Sequence, residues 1–113
     1  MKDMIYAGRV IKVLDPITYE VMVDMGLGIT YTCRVKMAGV KYKKYDKDVK
    51  VEYDGFLATK DSIRFELLGK ELLIKFVTDY KDKSGKYLVD LKSGDSWLSE
   101  LFVEQGHLEK LES

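Results

Sequence analysis

The side chains best suited to binding or catalysis are concentrated in the middle of the sequence. Positions 36 to 50 contain six lysines and two aspartates, a local excess of four positive charges, and two tyrosines are interleaved with the lysines. In proteins that bind single-stranded nucleic acid, amines contact the phosphates and aromatic rings stack under the bases. An acidic protein partner would use the same charges, whereas in a solvated loop the lysine stems would only cover apolar surface. The candidate binding residues are Arg34, Lys36, Lys41, Tyr42, Lys43, Lys44, Tyr45 and Lys47.

Few residues in the chain are suited to nucleophilic or transition-metal chemistry. His107 is the only histidine, so the sequence offers no histidine-based triad and no multi-histidine metal site. Cys33 is the only cysteine, which excludes an internal disulfide and a cysteine-based zinc site. Its place in a strand pattern predicts a small buried apolar side chain.

Length and composition predict one globular domain spanning residues 1–113. Apolar residues make up 46% of the chain, which is enough for one core, and the formal net charge is zero. Proteins that grip nucleic-acid backbones usually carry a clear positive excess, so nucleic-acid binding here would depend on a local patch. The N-terminal segment MKDMIYAGRV has no signal-peptide pattern and no run is long enough to span a membrane, so we expect a cytoplasmic protein without a membrane partner.

Three strands are predicted in the first third of the chain, where these candidate residues begin. Apolar residues alternate with polar ones through 29–37 and 19–24, and a first run covers 5–13. Gly26 and Gly28 supply the permissive backbone for a hairpin between the second and third runs. The Asp15-Pro16 turn joins the first two runs, so the three strands form an antiparallel meander.

The rest of the chain predicts a helix, two more strands and a second helix. We expect mostly loop through 38–55, a helix over 56–68 and a strand with Leu72, Ile74 and Phe76 on one face. After a turn at Ser84-Gly85 comes a fifth strand over 87–91. A last helix should start at Asp95 or Ser96 as its N-cap, bury Trp97, Leu101 and Phe102, and stop at Gly106. This order predicts an all-β/α+β fold, the five-stranded Greek-key barrel of oligonucleotide/oligosaccharide-binding (OB) proteins.

Several short motifs, found in the right order over residues 6 to 108, give the chain a family resemblance. They are GRVIKVLDPITYEVMVD, DMGLGITYTCRVKMAGV, LLGKELLIKF, YKDKSGKYLVDL and LFVEQGHLEK. Together they resemble the staphylococcal (thermonuclease-like) nuclease family, and in particular its short phage-encoded members. The resemblance implies an OB barrel with a helix between strands 3 and 4 and a C-terminal helix.

Active members of that family cut phosphodiester bonds with one calcium ion, two arginines and a water-orienting glutamate. Hard cations such as calcium need oxygen ligands, and guanidinium groups suit the charge on the phosphate. Carried over by position, one calcium ligand falls on Ile17 and the other on Lys41, while the glutamate falls on Lys44. The two arginines fall on Lys36 and Lys86. An apolar side chain and an amine therefore stand where the resemblance places metal ligands, and the amine would repel the ion.

The resemblance and these departures together predict a catalytically inactive nuclease homologue with no metal and no cofactor. We expect it to bind or inhibit a protein partner of the host or phage, as a phage accessory or anti-defence protein. One alternative is a protein that binds single-stranded DNA or RNA through Arg34, Lys36 and the loop 41–50. The other is a calcium-dependent nuclease with relocated ligands, for which Asp15, Glu20 and Asp24 are the candidates.

Overall fold

The computed structural model describes residues 4–111, which form eight strands and two helices. The strands are β1 (Ile5–Asp15), β2 (Thr18–Asp24), β3 (Thr30–Met37), β4 (Val40–Lys41), β5 (Glu71–Phe76), β6 (Tyr87–Ser93), β7 (Ser96–Trp97) and β8 (Glu109–Lys110). The helices are α1 (Lys50–Leu67) and α2 (Leu98–Glu104). Helix α1 therefore lies between the third and fourth long strands, as predicted.

The five long strands form a closed barrel. Their order is β3-β2-β1-β5-β6, with antiparallel neighbours throughout. A parallel pairing of β3 with β6, in which Val35 is opposite Tyr87, closes the ring. Within residues 4–111, closure leaves no long strand edge exposed to another chain. The predicted five-stranded barrel with two helices is confirmed, and the arrangement is compatible with an OB-like barrel.

Alternation of side chains along each strand fills the barrel. On β3, Cys33, Val35 and Met37 are buried while Arg34 is exposed, as the period-2 pattern predicted. Ile29 and Tyr31, at the start of the same pattern, are exposed, so the prediction is wrong for these two residues. Tyr19 on β2 is fully buried, and its hydroxyl donates a hydrogen bond of 2.6 Å to the carbonyl of Pro16. This bond pairs a polar group that would otherwise be unsatisfied inside the barrel.

The hairpin between β2 and β3 turns at the two predicted glycines. Gly26 and Gly28 have φ angles of 81° and 75°, which residues with a Cβ atom rarely adopt. Leu27 between them has a φ of 55° and is fully exposed. The backbone N–H of Gly26 donates to an Asp24 carboxylate oxygen at 2.8 Å, which holds the turn in place.

Helix α1 begins at Lys50, six residues before the predicted start at Phe56, so the expectation of mostly loop through 38–55 is wrong in part. The N-cap, Val49, makes no side-chain capping bond, which is why the usual start signal is missing. The first turns are stabilised instead by packing, because the Tyr53 and Phe56 rings contact the Tyr45 ring. The same segment also contains β4, which pairs with β8.

Helix α2 begins later than predicted. Its N-cap is Trp97, without a side-chain capping bond, rather than Asp95 or Ser96. Ser96 lies one residue before this N-cap and is paired with Ser93 in the short strand β7. The buried side chains of α2 are Leu98 and Phe102.

Two of the three residues predicted to anchor the last helix lie nearer the surface than expected. Phe102 is fully buried, whereas Trp97 and Leu101 are only half-buried. The prediction was right for Phe102 and wrong for Trp97 and Leu101. Within residues 4–111, neither helix combines the length and the apolar character that crossing a bilayer requires.

Candidate binding surface

The segment from Lys41 to Val49 connects β4 to helix α1 along the outside of the barrel. Lys41 lies in β4 directly opposite Glu109 of β8. Tyr42 and Tyr45 are half-buried, whereas the lysines between and after them are exposed. We call the residues Lys41, Tyr42, Lys43, Lys44, Tyr45 and Lys47 the lysine–tyrosine surface.

The two tyrosines of this surface pack against aromatic residues of α1. The Tyr45 ring stacks on Phe56 with centroids 4.0 Å apart and an interplanar angle of 23°. Tyr42 meets the same Phe56 edge-on at 5.4 Å, and Tyr53 lies 6.0 Å from Tyr45. Aromatic pairs at these distances add stability beyond the burial of their area. The tyrosine rings are therefore already engaged within the chain, which limits their use as a stacking platform for bases.

A cleft of about 290 Å³ lies over this aromatic packing. Its floor is apolar, with Tyr42, Tyr45 and Phe56, and Lys43 and Lys44 lie along it. The other side is formed by Val51, Glu52, His107 and Glu109, and the cleft also reaches Pro16 of the β1–β2 turn.

The positive charge of the segment is partly compensated by nearby acids. Lys41 faces Glu109 across the β4–β8 pair, and Glu52 accepts the backbone N–H of Asp46 at 3.3 Å. The excess of four positive charges counted along the sequence therefore overstates the local charge of the surface. Partial burial raises the pKa of the Tyr42 hydroxyl, and the Asp15 carboxylate acts in the same direction.

The structure brings together only part of the predicted binding set. The cleft contains Tyr42, Lys43, Lys44 and Tyr45, but Arg34, Lys36, Lys41 and Lys47 do not line it. Arg34 and Lys36 lie on the outer face of β3, where Arg34 Nε is 3.9 Å from a carboxylate oxygen of Glu20 on β2. The candidate residues thus divide between a cleft beside α1 and the outer face of a barrel strand.

Lys86 lies just before β6 and is positioned by a polar turn. Its backbone N–H donates to a carboxylate oxygen of Asp82 at 3.0 Å, and Ser84 donates to the same oxygen from both its N–H and its hydroxyl. These bonds hold the pKa of Asp82 below its usual range. The local role of Asp82 is therefore that of a turn residue.

The position that the resemblance assigns to a calcium ligand belongs to the core. The Ile17 side chain is buried with 6% exposure. Its backbone N–H donates to Asp15 Oδ1 at 2.9 Å, and its carbonyl accepts the N–H of Met37 at 2.8 Å. Residue 17 therefore ties the β1–β2 turn to the end of β3 through its backbone, while its side chain fills the barrel.

The carboxylates considered as relocated calcium ligands lie apart from one another. Asp15 ends β1 opposite Thr18, and Asp24 ends β2 six residues after Thr18, so about 20 Å of extended strand separates the two positions. Glu20 lies between them and faces Arg34. Within residues 4–111, no group of three or more histidine, cysteine or acidic side chains is arranged to hold a metal ion.

The sequence patterns did not identify Phe56, Val51 and His107 as parts of this site. Phe56 was placed at the predicted start of the helix, and only the earlier start of α1 puts Val51 on an exposed helical turn beside the cleft. His107 reaches it from beyond α2, where its ring also lies 6.3 Å from that of Phe102. Spacing along the chain carries no signal for such contacts between distant segments.

The fold is a closed five-stranded barrel with two helices that is compatible with an OB-like barrel, and an aromatic cleft lies beside the helix between the third and fourth long strands. No known family model matches the chain, and no curated protein matches it either.

Proposed function

We propose that the protein is a catalytically inactive relative of the staphylococcal nucleases that binds a protein partner through the lysine–tyrosine surface. The observation that carries this proposal is the cleft, where exposed amines of Lys43 and Lys44 flank a floor of packed aromatic rings. An apolar floor beside charged groups suits a protein segment that offers an apolar side chain and acidic neighbours. The phage-like motifs suggest a partner from the host cell or the phage, which would make the chain an accessory or anti-defence protein acting in the cytoplasm.

Ring packing favours a protein partner over single-stranded nucleic acid at this surface. Base stacking requires an accessible aromatic face, but Tyr45 is stacked on Phe56 and Tyr42 is half-buried against the same ring. Apolar groups are exposed beside the cleft, since Val51 is 81% exposed and Val49 is 41% exposed. Exposed apolar side chains next to a cleft are typical of protein interfaces.

The side chain of residue 17 supports the non-catalytic part of the proposal. A calcium-dependent nuclease needs oxygen ligands at the metal, and Ile17 presents a buried hydrocarbon instead. Lys41, at the second ligand position of the resemblance, is exposed and carries a positive charge. Both positions therefore suit a binding module better than a metal-dependent enzyme.

Affinity capture with charge-reversed variants tests the protein-binding proposal. The immobilised chain is exposed to lysate of a bacterial host, next to a Lys43→Glu plus Lys44→Glu variant and a matched Lys81→Glu plus Lys83→Glu control from the turn before β6. We expect a protein retained by the wild type and the control and lost with the cleft variant, because acidic groups on the partner would be repelled. Equal capture by all three chains would remove the cleft as the contact.

The two alternative functions are separated by direct titration. Binding of denatured DNA that weakens in Lys43→Ala plus Lys44→Ala, with a flatter dependence on salt, would point to nucleic acid instead. A saturable response of Trp97 fluorescence to calcium, together with cleavage of denatured DNA, would point to a nuclease. We expect neither response.

A further inference from the structure

The hairpin between β2 and β3 carries exposed apolar side chains beyond the barrel wall. Residues 24–32 are all exposed. Three of them have large apolar side chains: Met25 (45% exposed), Leu27 (100%) and Ile29 (59%). Strand β2 leaves β1 after Val23, and β3 meets β6 only from Val35 onward, so this part of the hairpin is held by its own two strands. We call residues 24–29 the hairpin tip.

The conformation of the tip is fixed by backbone hydrogen bonds and not by its apolar side chains. The Met25 N–H donates to the Ile29 carbonyl at 2.9 Å, and the Ile29 N–H donates to the Gly26 carbonyl at 2.9 Å. Leu27 is the one residue other than glycine with a positive φ within residues 4–111, and residues with a Cβ atom rarely adopt this conformation. A leucine therefore occupies an unfavourable backbone position where its side chain gains no contact within the chain. Such a position points to a contact with another molecule.

The tip is acidic as well as apolar. Positions 13–33 contain no lysine and no arginine, and the tip begins with Asp24. One oxygen of the exposed Asp24 carboxylate accepts a backbone N–H of the turn, and the other can face an external cation. Lys81 reaches the base of the hairpin, where its amine lies 5.9 Å from the Tyr87 ring and the Tyr87 hydroxyl is 3.2 Å from that of Tyr31. The tip thus presents apolar side chains beside one carboxylate.

The cleft at the lysine–tyrosine surface has the complementary composition. Its floor consists of aromatic rings, Lys43 and Lys44 lie along it, and its volume of about 290 Å³ is large enough for a leucine side chain. Glu52 and Glu109 line the other side, so a carboxylate would be attracted only to the lysine side of the cleft. The formal net charge of zero means that two copies of the chain do not repel each other overall.

The tip and the cleft lie at opposite ends of β2. The cleft reaches Pro16, just before the start of β2, whereas the tip begins at Asp24, the last residue of β2. About 20 Å of extended strand separates the two, and β2 is paired with β1 and β3 on its two sides. A tip can therefore reach a cleft only on another molecule. Each copy in such a head-to-tail contact keeps one free tip and one free cleft, so association continues into chains or closed rings.

We propose that the hairpin tip of one molecule docks into the cleft of a second copy, with Leu27 on the aromatic floor and Asp24 beside Lys43 and Lys44. This docking rests on the proposed function, because it uses the same cleft to bind an apolar side chain with an acidic neighbour. A second copy of the chain then occupies the cleft that a protein partner would need. Self-association and capture of the partner therefore compete.

Sedimentation velocity of the intact chain, from about one micromolar to about one millimolar, measures the self-association. We expect the average mass to rise with concentration, with a dissociation constant on the order of 10⁻⁵ to 10⁻⁴ M, because the contact is smaller than a standard interface. Leu27→Asp and Lys43→Glu plus Lys44→Glu should each weaken the association at least about ten-fold. The first variant removes the apolar side chain, and the second repels Asp24. A wild-type chain that stays monomeric over the whole range would refute the proposal.

An equimolar mixture of these two variants is the decisive measurement. Leu27→Asp retains an intact cleft, and Lys43→Glu plus Lys44→Glu retains an intact tip. The mixture should regain the wild-type dissociation constant but stop at the mass of two chains, since one contact uses both intact halves. A mixture that does not associate, or a cleft variant that associates as strongly as the wild type, would overturn the head-to-tail contact.

Leu27→Asn separates docking from folding. Asparagine is tolerated at positive φ, so the midpoint of thermal unfolding should stay the same or rise, while self-association should weaken at least about ten-fold. Phe65 provides the matched control, because its side chain is 81% exposed and does not line the cleft. Phe65→Asn should leave the association unchanged. Equal loss in both variants would show unspecific apolar association, and the proposal would fail.

Capture from host lysate distinguishes failure of this docking from failure of the proposed function. Leu27→Asp keeps the cleft free, so it should retain a partner at least as well as the wild type. Absence of self-association with capture still dependent on Lys43 and Lys44 would refute the docking alone. Self-association that depends on these lysines, with capture that does not, would refute the proposed partner site alone.

Discussion

The β1–β2 turn and the lysine–tyrosine surface border the same cleft but are built in different ways. At the turn, Ile17 is buried and both of its backbone polar groups are hydrogen-bonded within the barrel. At the cleft, Lys43 and Lys44 are exposed and make no ion pair within the described residues, while only the rings beside them are packed. In the family resemblance, both regions correspond to parts of one catalytic pocket. The comparison shows one part built into the core and the other left at the surface for contacts.

The difference has a direct consequence for how substitutions should act. Changes at the turn and in the barrel should alter stability, because they leave cavities, buried charges or unpaired polar groups. Changes of exposed lysines should leave stability nearly unchanged and alter binding. Variants from the two regions therefore provide matched tests of whether the division is real.

The largest expected effect comes from restoring a carboxylate at residue 17. Ile17→Asp should lower the free energy of unfolding by about 3–5 kcal/mol, because it removes buried hydrocarbon and places a charge in the barrel near Asp15. Ile17→Val, which keeps the apolar character, should cost about 1 kcal/mol. Urea unfolding of the three proteins, followed by Trp97 fluorescence, measures both values.

Calcium supplies the control for this prediction. Millimolar calcium should not restore the stability of Ile17→Asp, because Lys41 stands at the second ligand position of the resemblance. A loss below about 1 kcal/mol, or a recovery with calcium, would mean that the pocket still provides metal-binding oxygens. Residue 17 would then belong to a metal-binding pocket, and the contrast between a buried turn and an exposed surface would be wrong.

Two glycines, one in the barrel wall and one in helix α1 beside the cleft, provide a smaller pair of effects on stability with opposite signs. A Cβ on Gly8 in β1 would come within 2.6 Å of the Ile74 side chain and of the Met22 carbonyl oxygen, whereas one on Gly55 in α1 meets nothing within 4 Å. Gly8→Ala should therefore cost about 1–3 kcal/mol through overpacking. Gly55→Ala should add about 0.5–1 kcal/mol, because alanine is favoured in a helix interior.

Thermal and urea unfolding test the sign of each change. Gly55 also lines the cleft, so Gly55→Ala should weaken capture of a partner even though it stabilises the fold. Destabilisation by Gly55→Ala would show that neighbouring groups lie closer to Gly55 than the open space around its Cβ position indicates. A neutral Gly8→Ala would show that the barrel tolerates expansion at this position.

The same division explains which features could be predicted from the sequence. Buried Cys33, Val35 and Met37 alternate with exposed Arg34, as expected for a strand in a barrel wall, so the five long strands were predictable, whereas the short strands β4, β7 and β8 were not. The first turns of α1 were not, because Val49 gives no capping signal and the helix is stabilised there by Tyr45, which lies outside it. Likewise, α2 begins after Trp97 without a side-chain capping bond, so the capping preference of Asp95 and Ser96 did not mark its start.

The candidate site was predictable only where its residues are neighbours in sequence. Tyr42 through Tyr45 form one continuous segment, and the structure places all four at the cleft. Arg34 and Lys36 were grouped with them on charge and on the family resemblance, but strand β3 carries them on its outer face. Phe56 and His107 reach the cleft only through tertiary packing. Charge and composition thus identified the segment, while the shape of the site depends on contacts between distant residues.

The smallest expected effect concerns two tyrosines, one from each region, and depends on pH. Burial holds the pKa of Tyr19 well above its usual range, with smaller contributions from Asp15 and Asp90. In the unfolded chain this hydroxyl ionises near pH 10, so above that pH the folded state binds more protons than the unfolded state. The free energy of unfolding therefore falls as pH rises above about 10, by up to about 1.4 kcal/mol per pH unit from this residue.

Tyr19→Phe should remove that pH dependence. Near neutral pH the variant should be less stable than the wild type by about 1 kcal/mol, because the hydrogen bond to the Pro16 carbonyl is lost. As the pH rises above about 10 the gap should close and then reverse, since only the wild type retains the buried hydroxyl. Tyr42→Phe should change the profile much less, because Tyr42 is only half-buried and its pKa is raised mainly by that partial burial. Urea unfolding from about pH 7 to pH 11 gives all three curves. A constant difference in free energy of unfolding between wild type and Tyr19→Phe over that range would mean that the Tyr19 hydroxyl is open to solvent. The barrel interior at Tyr19 would then be no better shielded from water than the cleft at Tyr42.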